Sequence, residues 1–309
     1  MSVKISQTEP VQKFLEEASG ALNDAGNPRV KTLIHRILKD TVAIIEDLDV
    51  TPEEFWAAVN YLNVLGARQE AGLVVAGLGL EHYLDLQLDA QDEEAGHLGG
   101  TPRTIEGPLY VAGAPLSEHE ARLDDGTDPG TTLFMQGQVK DLDGNPIAGA
   151  TVDVWHANTG GTYSYFDPCQ SEFNLRRRII TDADGRYRFR SIVPSGYGCP
   201  PDGPTQQLLD QLGRHGQRPA HIHFFISAPS HRHLTTQINL SGEKYLHDDF
   251  AYATRDELIA EIYFSEDQAA ARQYGVEGRF AEIDFDFTLQ ATEQPKAEQR
   301  SERVRALEA

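Results

Sequence analysis

The chain has 309 residues, 39% hydrophobic and 24% charged, which bounds it to one large or two modest globular domains and excludes a disordered or fibrous protein. Its 48 acidic against 27 basic residues leave a formal charge of −21, so a nucleic-acid backbone or an anionic membrane would be repelled. Two cysteines, Cys169 and Cys199, demand no disulfide framework, and the polar start from Met1 to Gln7 carries no apolar signal region. The longest apolar stretch, Ala71 to Leu80, holds three glycines and is too short to span a bilayer. A cytoplasmic protein with no nucleic-acid partner and no membrane insertion is expected.

Residues 1–103 read as a helical domain. Val11, Phe14, Leu15 and Ala18 recur at helical spacing, as do Val30, Leu33, Ile34 and Ile37, followed by Val42, Ile44, Ile45 and Leu48. Thr51-Pro-Glu-Glu54 signals a helix start, with a capping hydroxyl, proline in the first turn and acids beside the helix dipole. That third helix carries Phe55, Trp56, Val59, Leu62 and Leu65, and a fourth is expected from about Arg68 past Leu86. The acidic, glycine-bearing stretch from Asp89 to Arg103 reads as the junction.

From residue 104 to 291 the period changes to two, punctuated by proline and glycine, as in strands and turns. Strands are expected over Thr132–Val139, Ala150–His156, Arg186–Ile192, His221–Ser227, Leu234–Leu240 and Arg279–Leu289, with turns at Asp141–Gly144 and Asp182–Gly185. Short strands at this spacing argue for a β-sandwich. The strand–turn–strand from Gly137 to Trp155 is similar to generic prealbumin-like sandwiches, many of which only bind or space. The fold class is therefore α+β, a helical domain followed by an antiparallel sandwich, with a charged tail over 292–309.

The chemistry concentrates in a few side chains. His221 and His223 stand at i and i+2 on an expected strand, where side chains share a face about 6.5–7 Å apart, a span that two imidazoles can close around one metal ion. Two satisfied histidines at a sheet edge are the plainer alternative. The pair His231 and His233 follows the loop Ala228-Pro-Ser230 with no alternation to align it, and His35 and His82 sit in helical patterns. No carboxylate accompanies His221 in the manner of a two-histidine, one-carboxylate site. What stands out instead is tyrosine in glycine-rich turns, Gly160-Gly-Thr-Tyr163 and Gly196-Tyr197-Gly198, because a phenolate is a hard anionic donor suited to ferric iron.

Three segments, Trp155-His-Ala-Asn-Thr-Gly-Gly-Thr-Tyr163, Ile192-Val-Pro-Ser-Gly-Tyr-Gly198 and Arg218-Pro-Ala-His-Ile-His-Phe224, resemble the metal-site blocks of the intradiol catechol dioxygenase family. The resemblance covers nearly the whole chain. It implies one Fe(III) held by Tyr163, Tyr197, His221 and His223, with Tyr165 as the rival to Tyr163. Arg218 would stabilise ring charge, Gln237 would hydrogen-bond near the iron, and Tyr197 would accept a substrate proton. The family pocket maps onto Leu73, Ile105, Gly107, Pro108, Leu109, Phe250 and Ala251. The substrates implied are catechol and O2, giving cis,cis-muconate in aromatic breakdown through the β-ketoadipate route. The N-terminal helices are similar to a dimerisation domain that also holds amphipathic lipid. Sister enzymes for hydroxyquinol or chlorinated catechols share these ligands, and Leu109 after Pro108 fits the plain catechol branch. A metal-free prealbumin-like binding module is the reading from a different class.

Overall fold

The computed structural model describes residues 4–292, so the expected tail lies, beyond its first residue, outside the described residues. The chain divides into two compact units, 1–68 and 69–309.

The first unit is helical, with α1 (Glu9–Ala18), α2 (Pro28–Asp47) and α3 (Pro52–Arg68). Asn27 caps α2 by accepting from the backbone N–H of Arg29 and Val30. At α3, Thr51 Oγ1 accepts from Glu54 N while a Glu54 carboxylate oxygen accepts from Thr51 N at 2.8 Å, a reciprocal capping box. Of the apolar residues that set this periodicity, only Leu15 of α1 and Leu65 of α3 are buried. No residue of α2 is buried, and Leu33, Ile37 and Trp56 stay 45%, 57% and 62% exposed.

The second unit begins with α4 (Ala71–Gly77) and α5 (Leu80–Glu94). One expectation is corrected here. The fourth helix is two helices, because Gly79 takes the left-handed backbone at φ +73° and turns the chain between them. Both helices belong with the strands rather than with α1–α3. Gly77 lies under the Phe250 ring, Arg214 donates to the Gly77 carbonyl at 2.6 Å, and Asp89 pairs with Arg103 and Arg255. The compact units therefore divide near residue 68, and α5 occupies part of the expected junction.

The strands are β1 (Leu116–Glu118), β2 (Glu120–Arg122), β3 (Thr132–Asp141), β4 (Thr151–His156), β5 (Arg176–Ile180), β6 (Arg186–Ile192) and β7 (Tyr197–Gly198). Helix α6 (Pro204–Gln211) precedes β8 (Gln217–Arg218), β9 (His221–Ser227), β10 (Leu234–Leu240), β11 (Ile259–Ala260) and β12 (Tyr263–Ser265). Helix α7 (Gln268–Gln273), β13 (Phe280–Asp284) and β14 (Phe287–Leu289) follow. The expected strand 279–289 is thus interrupted at Phe285-Asp286, and β13 and β14 pair with opposite ends of β3.

One sheet has the order β1-β5-β4-β9-β10-β11, and the other β12-β13-β3-β6-β2 with β14 also on β3. The central pairs, β4–β9, β9–β10 and β3–β6, are antiparallel, but β1–β5, β10–β11, β13–β3, β14–β3 and β2–β6 are parallel. The sandwich is therefore mixed rather than wholly antiparallel, since segments returning along the edges run beside their neighbours. Ile222, Phe224 and Ile226 of β9 are wholly buried with Val152 and Val154 of β4 and Met135 and Phe189 of the other sheet. The alternate residues of β9, His221 and His223, consequently occupy the opposite face of the first sheet.

Candidate metal centre

On that outer face, β9 sets His223 opposite Trp155 on one side and Gln237 on the other. The Trp155 ring stacks on His223 at 4.9 Å with the planes 3° apart, fixing the imidazole orientation. His221 Nδ1 lies 2.7 Å from the Pro219 carbonyl, which requires a proton on Nδ1 and leaves a lone pair on Nε2. The two Nε2 atoms stand 3.1 Å apart.

The tyrosines arrive from loops. The Asn158 side chain accepts from Gly160 N and Thr162 N, folding a tight turn that delivers Tyr163. Arg176 then clamps Ser164 through its hydroxyl and carbonyl while donating to the Leu109 carbonyl at 2.8 Å, which ties the Tyr163 loop to the expected pocket segment. Tyr197 opens β7 and pairs directly with Arg218 of β8. The Tyr163 and Tyr197 hydroxyls are 3.3 Å apart, and Tyr197 Oη is 3.3 Å from His221 Nε2. Two phenol oxygens and two imidazole nitrogens thus converge on one point. Tyr165 turns away: its residue is 41% exposed and its hydroxyl bonds to Glu172.

Gly161 makes the convergence possible. Its φ is +75°, and a Cβ there would stand 2.6 Å from Tyr197 Cβ. Replacing Gly161 with alanine is expected to push the two tyrosine loops apart and to lower metal content and activity about 10–100-fold, read by metal analysis and turnover. Equal loading with wild type would show that the loops can separate without disturbing the site.

The electrostatics suit a cation. Burial holds Tyr163 well above its ordinary pKa, with Tyr197 adding to the effect. Burial, with Arg218 adding to it, pushes His221 down to about 3, and burial with His221 and Arg218 holds His223 well below its ordinary range, so both are neutral. A metal ion reverses that logic for the phenols by stabilising their anions. Four donors 3.1–3.3 Å from their neighbours match ligands each roughly 2 Å from one ion. Among the described residues no three histidines, cysteines, aspartates or glutamates share such a point, so tyrosine is essential to the set. The donor chemistry fits a hard, high-valent ion.

Arg218 and Gln237 stand beside the donors. Arg218 Nη1 lies 3.0 Å from His221 Nε2, and Nη2 donates to Gln237 Oε1 at 2.8 Å. Asp249, which the sequence reading missed, pairs with the same guanidinium. Trp155 and Arg176 were also missed as site-forming residues, and of these two only Trp155, inside the first motif, carried a local signal, whereas the glycine turn holding Gly161 was legible in the sequence. The expected pocket residues fall in four places. Ile105, Phe250 and Ala251 share an apolar cluster with Ala76 and Cys199, and Leu109 packs beside Tyr163, Tyr197 and Trp155. Pro108 abuts Gly72 of α4, and Leu73 follows it, half-buried. Gly107 approaches the His223 ring, where its Cβ would lie 3.6 Å from Cε1. Cys169 and Cys199 are both free thiols. A separate cavity of about 650 Å³ between α5 and the start of β10 includes Ile105 but none of the four donors, so donor convergence rather than volume locates the centre.

His156, one strand away, is buried between Ser191 Oγ and the Ala157 carbonyl, and burial pushes it down to about 4. Folded His156 stays neutral while the unfolded chain takes up a proton below about 6.5. Stability is therefore present above about pH 6.5 and should fall by about 3 kcal/mol as pH drops toward 4. Urea unfolding across that range tests this, and a His156→Gln variant should show a flatter pH dependence.

A family model described as dioxygenase matches residues 105–291, and one described as catechol dioxygenase N terminus matches residues 27–96. The chain belongs to the intradiol catechol dioxygenase family. Family membership implies a metal cofactor, in agreement with the donor set. A catechol 1,2-dioxygenase of Acinetobacter baylyi is 59% identical over 94% of this chain and 94% of its own. The crystal structure of catechol 1,2-dioxygenase from Pseudomonas arvilla C-1 covers 99% of both chains at 68% identity with a TM-score of 0.96. A hydroxyquinol 1,2-dioxygenase of a Rhizobium species is more distant within the family, at 33% identity over 89% of this chain and 96% of its own.

Proposed function

We propose that this protein is a catechol 1,2-dioxygenase that binds one Fe(III) through Tyr163, Tyr197, His221 and His223. The observation that carries the reading is the meeting of two phenol oxygens and two imidazole nitrogens beside a buried arginine. Catechol and O2 combine to cis,cis-muconate, with both oxygen atoms of O2 entering the new carboxyl groups and the bond between the hydroxylated carbons broken. Ferric iron supplies a Lewis acid that makes catechol easier to ionise.

The chain's own groups do the rest. The Pro219 carbonyl fixes the His221 tautomer, and the Trp155 ring fixes the orientation of His223. Tyr197, half-buried where Tyr163 is buried, takes a substrate hydroxyl proton at Oη. Asp249 opposes the effect of burial on Arg218 and keeps it cationic, poised to stabilise negative charge developing on the ring. Gln237 holds the far side of the guanidinium. Ile105, Pro108, Leu109, Phe250, Ala251 and Leu73 supply apolar walls, and Gly107 keeps the wall close to His223.

No described helix is long and apolar enough to cross a membrane, and a cytoplasmic location accords with the strongly acidic chain. The uncovered apolar faces of α2 and α3 support a homodimer through the N-terminal helices, with amphipathic lipid as a further occupant. Sedimentation would show a species twice the chain mass, and extraction with mass spectrometry would identify the lipid.

The deciding experiment is the visible spectrum of iron-loaded protein, before and after catechol is added without oxygen. A broad tyrosinate-to-iron band that shifts with catechol supports the reading. Protein that stays colourless after iron reconstitution removes it, and turnover on catechol, hydroxyquinol and chlorocatechols ranks the substrates.

A further inference from the structure

Arg218 is 95% out of solvent at its side chain and carries its charge at all relevant pH, so its direction must be set by what surrounds it. Its guanidinium has three faces in use. Nη1 looks at His221 Nε2 at 3.0 Å, and Nη2 gives one hydrogen bond to Gln237 at 2.8 Å. The remaining edge, Nε with Nη2, meets both oxygens of Asp249 at 3.1 Å, a two-point grip. The Asp249 side chain is 1% exposed and is held in turn by the Ala251 N–H at 3.1 Å. Its neighbour Phe250 is anchored by donating to the Gln217 carbonyl, directly before Arg218.

We infer that Asp249 is a positioning residue for ring cleavage: it grips one edge of Arg218 so that Nη1 faces the metal-side nitrogen of His221, where charge develops on the substrate ring. Gln237 alone cannot do this, because a neutral amide gives the fork one acceptor and no compensating charge. Without Asp249 the buried cation would be free to swing toward the phenol oxygens, its nearest anions once a metal is bound. This inference rests on the role given above to Arg218.

The test uses iron-loaded protein with Asp249→Asn, Arg218→Gln and the double variant. Asparagine keeps one acceptor for the Ala251 N–H while removing the charge and the second grip on Arg218. The expected result is an Asp249→Asn enzyme that retains its visible band and its anaerobic shift with catechol. Its kcat falls about 10–100-fold while KM moves little. In the Arg218→Gln background the same change costs less than about twofold, because the residue it acts through is already gone. An unchanged kcat, or a loss that multiplies in full in the double variant, overturns the inference. If Asp249→Asn fails to hold iron, the double variant decides. Recovery of the band supports Asp249 as the partner of Arg218, and continued loss shows that it serves the fold instead. Full turnover by Arg218→Gln alone, with wild-type activity on catechol intact, would overturn the role of Arg218 while leaving the enzyme's identity untouched.

Discussion

Replacing His221 with alanine is expected to yield a folded, colourless protein with no measurable ring cleavage. The imidazole offers its Nε2 lone pair because Nδ1 is committed to the Pro219 carbonyl, and no other described nitrogen base except His223 reaches the same point. Loss of the ion removes several kcal/mol of charge stabilisation, which places residual turnover below roughly a thousandth of wild type. The fold should survive, because Ile222 and Phe224 bind the strand to the core from the other face. Iron per chain, the visible spectrum and turnover measure the outcome together. Tyr165→Phe is the matched control and should keep colour and activity, since its hydroxyl is engaged by Glu172. Full iron and full turnover in His221→Ala would refute the assignment of this histidine as a ligand.

Arg218→Ala should damage both chemistry and stability. Removing a preorganised cation from the place where ring charge develops is expected to lower kcat about 10²–10³-fold. The same change strands the Asp249 carboxylate, whose side chain is 1% exposed, and breaking a buried pair from one side costs roughly 3–5 kcal/mol. Asp249 now sits below its ordinary pKa because Arg218 outweighs the opposing effect of burial. Once the arginine is gone, burial should dominate and raise it. Stability lost at neutral pH should then be partly regained in acid, where the carboxyl takes up a proton. Urea midpoints measured at neutral and mildly acidic pH test this, and a deficit that does not shrink in acid would argue against the stranded charge. Arg218→Lys keeps the charge but gives up the fork, so it should spare stability more than activity.

Much of this was legible in one dimension. The alternation around Ile222, Phe224 and Ile226 implied that His221 and His223 share the face away from the core, since a strand has a period of two. Thr51-Pro-Glu-Glu54 announced the start of α3, because a capping box is closed by residues three apart. Glycines around Tyr163 and Tyr197 marked turns able to aim a ring, and the three motifs named the family.

Other features arise from distance in the chain. Gly79 divides what the apolar run suggested was one helix, and the packing of α4 and α5 on residues beyond 210 places both helices in the second compact unit. Parallel pairing at the sheet edges depends on where long connections return, which no local period encodes. The family motif favours Tyr163 over its rival Tyr165, two residues on. In space they separate because Arg176 and Gly161 draw one turn against Tyr197 while Glu172 holds the other ring outside. Asp249 is 31 residues from Arg218 and carries no motif of its own. Local pattern determines which face a side chain takes, whereas the partner that neutralises a buried charge is chosen by tertiary packing, because only the assembled fold removes the water that would otherwise serve.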